Sequence, residues 1–142
     1  MIFQIQHRLI PRLLRRSLFF SSQPGAFTNT CSNSHIPDYI KKANEFKSKG
    51  YEVYVISVND PFVMSGWGRV VGGKEDTHFA NDSDLAFSKG LGATVDLSSK
   101  GFGVRPARFA LVADDLKITS FSVEDSPANV DVSAAGAVLA QL

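Results

Sequence analysis

The chain has 142 residues, enough for one domain with a hydrophobic core, and 44% of them are hydrophobic, as in ordinary globular proteins. A formal net charge of +1 gives no sign of nucleic-acid binding, and no apolar run approaches the length of a membrane span. Because the chain contains one cysteine, an intrachain disulfide and a multi-cysteine zinc site are excluded.

The N-terminal segment differs from the rest of the chain in charge. Residues 1–37 include four arginines and no Asp or Glu, and Ile5, Leu9 and Leu13 recur at helical spacing. An Arg-rich, acid-free and amphipathic N-terminus is typical of a mitochondrial transit peptide. The alternative is a basic arm with no targeting role. We therefore predict a leader or arm over residues 1–23 and a domain over 24–142, with the mitochondrion as destination and the cytoplasm as the alternative.

Helix and strand patterns alternate after this segment. Apolar residues at helical spacing predict a helix from Ile36 that ends before Gly50, and a run rich in Val, Ile and Tyr predicts a strand over residues 51–58. Asp60 followed by Pro61 predicts the start of another helix. Further predictions are a strand at 77–80, a helix at 84–90, a loop at 98–106, a hairpin of 109–113 with 116–123, and a closing helix at 133–142. This alternation predicts an α/β sandwich.

Cys31 lies where a turn rich in proline and glycine runs into a helix. The segment reads PGAFTNTCS from Pro24, and the apolar-periodic helix follows it, so Cys31 is predicted to lie in the first helical turn. Free backbone N–H groups and the helix dipole favour a thiolate over a thiol at that position. A lone cysteine is otherwise more often a small buried hydrophobic residue. Taken alone, the cysteine leaves both interpretations open.

Three residues of this segment, Pro24, Thr28 and Cys31, resemble the peroxiredoxin active-site signature Pro-x-x-x-Thr-x-x-Cys. The segment PGAFT is followed by Cys-Ser-x-x-His-x-Pro, with His35 and Pro37, and the two together are similar to sequences of the peroxiredoxin-5 or type II subfamily. The similarity continues at residues 57–64, 67–68 and 103–110, although Asn29 stands where that subfamily often has proline. The resemblance implies a thioredoxin-like fold, an α/β sandwich with a central mixed sheet.

The resemblance also implies an activity: a thiol-dependent peroxidase that reduces hydrogen peroxide and alkyl hydroperoxides through a cysteine sulfenic acid. In that chemistry Cys31 is the nucleophile, and Thr28 orients the peroxide through its hydroxyl. Arg108, just before an aromatic strand, stabilises the thiolate and the charge that develops on the peroxide. Pro24 and Gly25 shape the substrate-binding loop. No cofactor is implied, and the three histidines are too far apart in sequence to predict a metal site.

The partners follow from the same resemblance and from the cysteine count. Since the chain has no second cysteine to resolve the sulfenic acid, an external thiol is required. The resemblance names glutathione, glutaredoxin or thioredoxin as that reductant, and it includes a homodimer among the partners. Neither a nucleic acid nor a membrane is expected as a partner.

Two of the assigned residues have ordinary alternatives. Thr28 is also a residue type that caps helices. Arg108 could also be an ordinary surface arginine, with Arg105 as a plausible substitute for its role. Arg108 is preferred because it adjoins Phe109 at the start of the predicted strand. His35 is more often a structural hydrogen-bonding residue than a catalytic base.

The N-terminus is where the resemblance and the composition conflict. Family members carry strands before the motif, including the one that leads into the cysteine loop, whereas here 23 residues precede Pro24 and most resemble a leader. We therefore expect an N-terminally truncated domain with its N-terminal strands largely missing, and residues 18–20 as a stub of that strand. The alternative function is a catalytically impaired peroxiredoxin that acts as a redox-responsive interaction module.

Overall fold

The computed structural model of the protein describes residues 17–73 and 75–142, and the backbone of residues 2–4. Eight strands occur in these ranges: β1 (Ile2–Gln4), β2 (Ser17–Ser22), β3 (Tyr51–Ser57), β4 (Thr77–Asn81), β5 (Thr94–Asp96), β6 (Val104–Pro106), β7 (Phe109–Asp114) and β8 (Lys117–Val123). The α-helices there are α1 (Ile36–Ser48), α2 (Pro61–Val70), α3 (Ala86–Gly90) and α4 (Ala135–Leu139). None of the helices in these ranges is long and apolar enough to cross a bilayer.

Six of the strands form one mixed sheet in the order β1-β4-β3-β2-β7-β8. The four strands β1, β4, β3 and β2 run parallel to one another, while β7 is antiparallel to both β2 and β8. Helices α1, α2 and α4 contribute to the core on one face of the sheet, and residues around α3 pack on the other. The predicted α/β class with a central mixed sheet is confirmed.

Strand β2 corrects the expectation that the N-terminal strands are largely missing. It pairs with β3 on one side and β7 on the other over all six residues, so it lies in the middle of the sheet. Leu18 and Phe20 enter one core cluster and Phe19 enters the opposite one, because successive side chains of a strand point to opposite faces. The short apolar run between serines is thus a buried central strand rather than a stub.

The position of β2 also moves the start of the folded domain upstream of Pro24. Ser21, Ser22 and Gln23 are fully buried, so the boundary expected between residues 23 and 24 falls inside the domain. The arginine-rich part of the predicted leader, residues 5–16, lies outside the described residues.

Most other predicted elements are observed close to their predicted bounds. Asp60 caps α2 by accepting hydrogen bonds from the N–H groups of Phe62 and Val63, and the β7–β8 hairpin turns at Asp115 and Leu116, which both have positive φ. Two differences occur. The predicted loop at 98–106 contains β6, which pairs with β5, and the closing helix α4 is shorter than predicted.

Candidate active site

Cys31 begins a π-helical turn, Cys31–His35, that leads directly into α1. The first helical hydrogen bond runs from the Ser32 N–H to the Thr28 carbonyl, which places Cys31 in the first turn as predicted. The N–H of Ile36 then donates to the Cys31 carbonyl and closes the wider π turn. Such turns are frequent at functional sites. Here the turn faces both of its terminal side chains inward, since Cys31 is 0% exposed and His35 is 1% exposed.

The loop before Cys31 is held from two sides. Asn59 accepts a hydrogen bond of 2.8 Å from the N–H of Ala26, and Arg105 Nη1 donates to the Pro24 carbonyl at 3.0 Å. A Cβ atom at Gly25 would lie 2.8 Å from Arg105 Nη1, so glycine permits this close approach. The predicted loop residues Pro24 and Gly25 therefore stand in a fixed loop, and Arg105 is engaged in fixing it.

Arg108 is the cation that reaches Cys31. Its Nη2 lies 3.4 Å from Cys31 Sγ. Nη1 donates to Gln23 Oε1 at 2.7 Å and lies 2.9 Å from His35 Nδ1, while Nε and Nη2 both donate to the Pro127 carbonyl. A guanidinium has five N–H donors. These five contacts account for all of them.

The positive charge of Arg108 is buried among neutral hydrogen-bonding partners. Arg108 is 2% exposed, and within the described ranges no carboxylate pairs with its guanidinium. Burial of an unpaired charge is costly. Of the five contacting atoms, Cys31 Sγ is the one whose deprotonated form would place a negative charge beside the guanidinium.

His35 links Arg108 to the C-terminal part of the chain. Its Nε2 lies 2.8 Å from the Ser133 carbonyl, which can only accept, so Nε2 carries the proton and Nδ1 presents its lone pair to Arg108. Burial lowers the pKa of His35 from 6.5 to about 4; the hydrogen bond to Ser133 opposes that change, and the nearby Arg108 charge adds to it. The ring is therefore neutral near pH 7.

A cavity of about 340 Å³ opens beside this arrangement. Pro24, Thr28, Arg108 and Pro127 contribute to its wall, together with the exposed side chains of Lys100 and Phe102. The Thr28 hydroxyl donates to the Gly25 carbonyl at 2.7 Å, which leaves its oxygen lone pairs available to accept a hydrogen bond. The cavity is large enough for a small hydroperoxide next to both Thr28 and Arg108.

The structure thus gathers every residue that the sequence singled out around Cys31, and it adds four that the sequence did not. Gln23 and Pro127 supply acceptors to Arg108. The Ser133 carbonyl contacts His35, and Glu124 in turn accepts a hydrogen bond from the Ser133 hydroxyl. Gln23 directly precedes Pro24, and this adjacency to the predicted loop is the sequence signal that could have found it. The others lie in an irregular segment more than 90 residues from Cys31, where no local pattern marks them.

A thioredoxin-like sheet that places one buried thiol against an arginine defines a thiol redox protein. Comparison with known proteins specifies the family: the family model described as Redoxin matches residues 14–139. Peroxiredoxin-2B of Arabidopsis thaliana is 48% identical over 120 residues, which are 84% of this chain and 74% of that protein. The chain therefore belongs to the peroxiredoxins, and it is a thiol-dependent peroxidase.

Solved structures agree with this assignment. Reduced Prx3 from Vibrio vulnificus, in a crystal structure described as a complex with H2O2, has a TM-score of 0.87 and 35% identity, covering 95% of this chain and 83% of that one. Peroxiredoxin 5 from Alvinella pompejana has a TM-score of 0.79 and 34% identity, covering 92% of this chain and 82% of that one. The latter similarity agrees with the subfamily that the sequence resembles, and both confirm the thioredoxin-like fold.

Proposed function

We propose that Cys31 is the nucleophile with which this peroxidase reduces hydrogen peroxide and alkyl hydroperoxides. The thiolate sulfur attacks one peroxide oxygen, the S–O bond forms as the O–O bond breaks, and the departing oxygen takes a proton to leave as water or an alcohol. Sulfur loses two electrons, the peroxide gains them, and Cys31 becomes a sulfenic acid. The observation that carries this proposal is the 3.4 Å contact between Cys31 Sγ and the otherwise uncompensated guanidinium of Arg108.

Arg108 and Thr28 act on the peroxide in this proposal. A fixed guanidinium at the sulfur stabilises both the thiolate and the negative charge that grows on the departing oxygen, and its donors need no reorganisation during the reaction. Thr28 accepts a hydrogen bond from the peroxide while its own hydroxyl continues to donate to the Gly25 carbonyl. Peroxide approaches through the cavity that both residues line.

The alternative of a catalytically impaired interaction module has lost its main support. It depended on a missing strand beside the cysteine loop, whereas β2 is present at the centre of the sheet and leads directly into that loop. The N–H of Gln23 also donates to the Ile56 carbonyl, which continues the strand pairing up to Pro24. The cysteine loop is therefore anchored to a central strand of the sheet.

The reductant in this proposal is an external thiol: glutathione, glutaredoxin or thioredoxin. The sulfenic acid condenses with one thiol to give a mixed disulfide and water, and a second thiol releases Cys31 and leaves as the disulfide. A second copy of the chain is a further proposed partner. Phe27, Phe62 and Phe102 are large apolar side chains that are 54%, 83% and 45% exposed, and we propose them as contacts of a homodimer.

Intact mass spectrometry after one equivalent of hydrogen peroxide tests the proposed chemistry. We expect the chain to gain one oxygen atom that a sulfenic acid reagent traps at Cys31, because no second cysteine is available to form an intrachain disulfide. With glutathione present, we expect one glutathionyl group at Cys31 instead. A matched Cys31→Ser chain should gain neither. Peroxide consumption that leaves the mass of the chain unchanged or modifies another residue would contradict Cys31 as the nucleophile.

We also propose a mitochondrial destination, directed by the arginines of residues 1–16. Its support is the acid-free composition of that segment and the relative named Peroxiredoxin-2F, mitochondrial, from Arabidopsis thaliana, which is 38% identical over 120 residues. Because β2 begins at Ser17, cleavage of a leader has to fall before that residue to leave the central strand intact, and among the strands described it removes only the edge strand β1 from the sheet.

A fluorescent reporter fused to residues 1–16 checks the destination. We expect it to reach mitochondria, and we expect Arg12, Arg15 and Arg16 changed together to Glu to abolish import, since transit peptides are basic. A reporter that stays in the cytoplasm would leave the segment as a basic arm without a targeting role.

A further inference from the structure

A hydrogen-bonded path leads from the sulfur of Cys31 through Arg108 to a buried carboxylate. Arg108 Nη1 lies 2.9 Å from His35 Nδ1, and His35 Nε2 lies 2.8 Å from the Ser133 carbonyl. Glu124 Oε1 then accepts hydrogen bonds from the Ser133 N–H at 2.8 Å and the Ser133 hydroxyl at 2.7 Å. The path joins residues from the cysteine turn, the segment before β7, the end of β8 and the segment before α4. All five residues of the path are buried.

The direction of each hydrogen bond in this path is fixed by chemistry. A carbonyl cannot donate and a guanidinium cannot accept, so His35 must donate from Nε2 to Ser133 and accept at Nδ1 from Arg108. In the opposite tautomer Nδ1–H would face the Arg108 donor, and although Gln23 Oε1 at 3.0 Å could accept from it, Nε2 would present a lone pair to the Ser133 carbonyl oxygen at 2.8 Å. Burial reinforces the choice, since it keeps the ring neutral, with a pKa of about 4.

Further contacts hold the histidine ring in place. Gln23 Nε2 lies 2.7 Å from the same Nδ1, and the Tyr39 hydroxyl donates to the same Ser133 carbonyl. The charged and titratable groups that face His35 are Arg108, Glu124, Asp38 and Tyr39. Glu124 is itself fixed: burial raises its pKa, but the hydrogen bonds from Ser133 and Asp131 outweigh that and lower the pKa overall.

We propose that His35 is a positioning residue for the peroxidase reaction, and that its Nδ1 lone pair orients Arg108 so that one Nη2–H faces Cys31 Sγ. A planar guanidinium rotates as a unit, so an acceptor that fixes one Nη1–H also fixes the direction of Nη2. The proposal rests on the proposed function of Cys31 and Arg108. It gives His35 no contact with the peroxide and no proton to transfer.

Two substitutions separate this role from simple packing. In His35→Asn the amide oxygen occupies the place of Nδ1 and still accepts from Arg108, but the contact with Ser133 is lost. In His35→Gln the longer amide reaches the place of Nε2 and still donates to Ser133, but nothing accepts from Arg108 at the old Nδ1 position. Tyr39→Phe is the matched control, because it removes another donor to the Ser133 carbonyl without touching Arg108.

The readouts are the rate of Cys31 oxidation by hydrogen peroxide and the pH profile of Cys31 alkylation by iodoacetamide, alongside melting temperature. We expect His35→Gln to slow oxidation about tenfold and to move the alkylation profile to higher pH, as loss of one charge-assisted hydrogen bond implies. We expect His35→Asn and Tyr39→Phe to stay within about threefold of the parent. Equal losses in the Gln and Asn variants, or losses that follow melting temperature alone, would overturn the proposal.

A second measurement on the unaltered protein keeps the proposal testable if His35→Gln fails to fold. Nitrogen-15 NMR of the histidine rings, with His35 identified from the Asn variant, should show a protonated Nε2 and an unprotonated Nδ1 near pH 7. A protonated Nδ1 would overturn the proposal. The alkylation and NMR readouts need no peroxide turnover, so a failure of the proposed peroxidase chemistry is distinguishable from a failure of this inference.

Discussion

Replacing Cys31 by serine is expected to abolish peroxide turnover while leaving the fold intact. Serine is nearly isosteric, and its hydroxyl can accept from Arg108 Nη2 where the sulfur now lies 3.4 Å away. A serine hydroxyl beside a cation, with no adjacent base, does not ionise near pH 7 and cannot replace a thiolate as nucleophile. Because the chain has no other cysteine, no second thiol can substitute.

A thiol-coupled peroxidase assay measures this effect, and circular dichroism shows whether the variant folds. The preparation has to be free of metal ions, since adventitious metals decompose peroxide. Substantial turnover by a folded, metal-free Cys31→Ser chain would show that the activity does not come from this site.

Replacing Arg108 by alanine is expected to slow oxidation of Cys31 by roughly a hundredfold or more, the usual cost of losing one preorganised donor at a developing charge. The fraction of Cys31 present as thiolate should also fall, because the sulfur loses the cation at 3.4 Å. Stopped-flow oxidation by hydrogen peroxide and the pH dependence of alkylation measure the two effects separately.

Arg105→Ala is the matched control for this prediction. Arg105 is only three residues away, but it is half-exposed and donates to the carbonyls of Pro24 and Phe102 rather than to the sulfur. We expect it to loosen the loop and to affect oxidation much less. If Arg105→Ala were the more damaging change, the anion site would be wrongly placed.

Arg108→Lys adds a test of geometry to the test of charge. Lysine keeps the positive charge but offers three donors on a flexible stem instead of a planar fork with five. It cannot satisfy Gln23, His35 and Pro127 together while also facing Cys31. We therefore expect this variant to resemble Arg108→Ala in its oxidation rate more than it resembles the parent.

The sequence by itself determined the parts of this protein that depend on neighbouring residues. The turn at Pro24 and Gly25, the helical position of Cys31 and the cap at Asp60 are local features, because backbone preferences and capping act within a few residues. The expectation of an external reductant followed from the resemblance together with the cysteine count. The resemblance around Cys31 added the activity, and the comparisons confirmed the family.

The tertiary structure alone decided what depends on contacts between distant segments. Residues 18–20 were ambiguous because a short apolar run looks the same in a leader and in a buried strand, and only pairing with β3 and β7 distinguishes them. Arg105 and Arg108 have similar local surroundings, yet the direction of each side chain is set by partners elsewhere in the chain. His35 and Ser133 are separated by 98 positions, and no periodicity links them. Packing of the sheet brings such groups together, and their chemistry depends on which neighbours they find there.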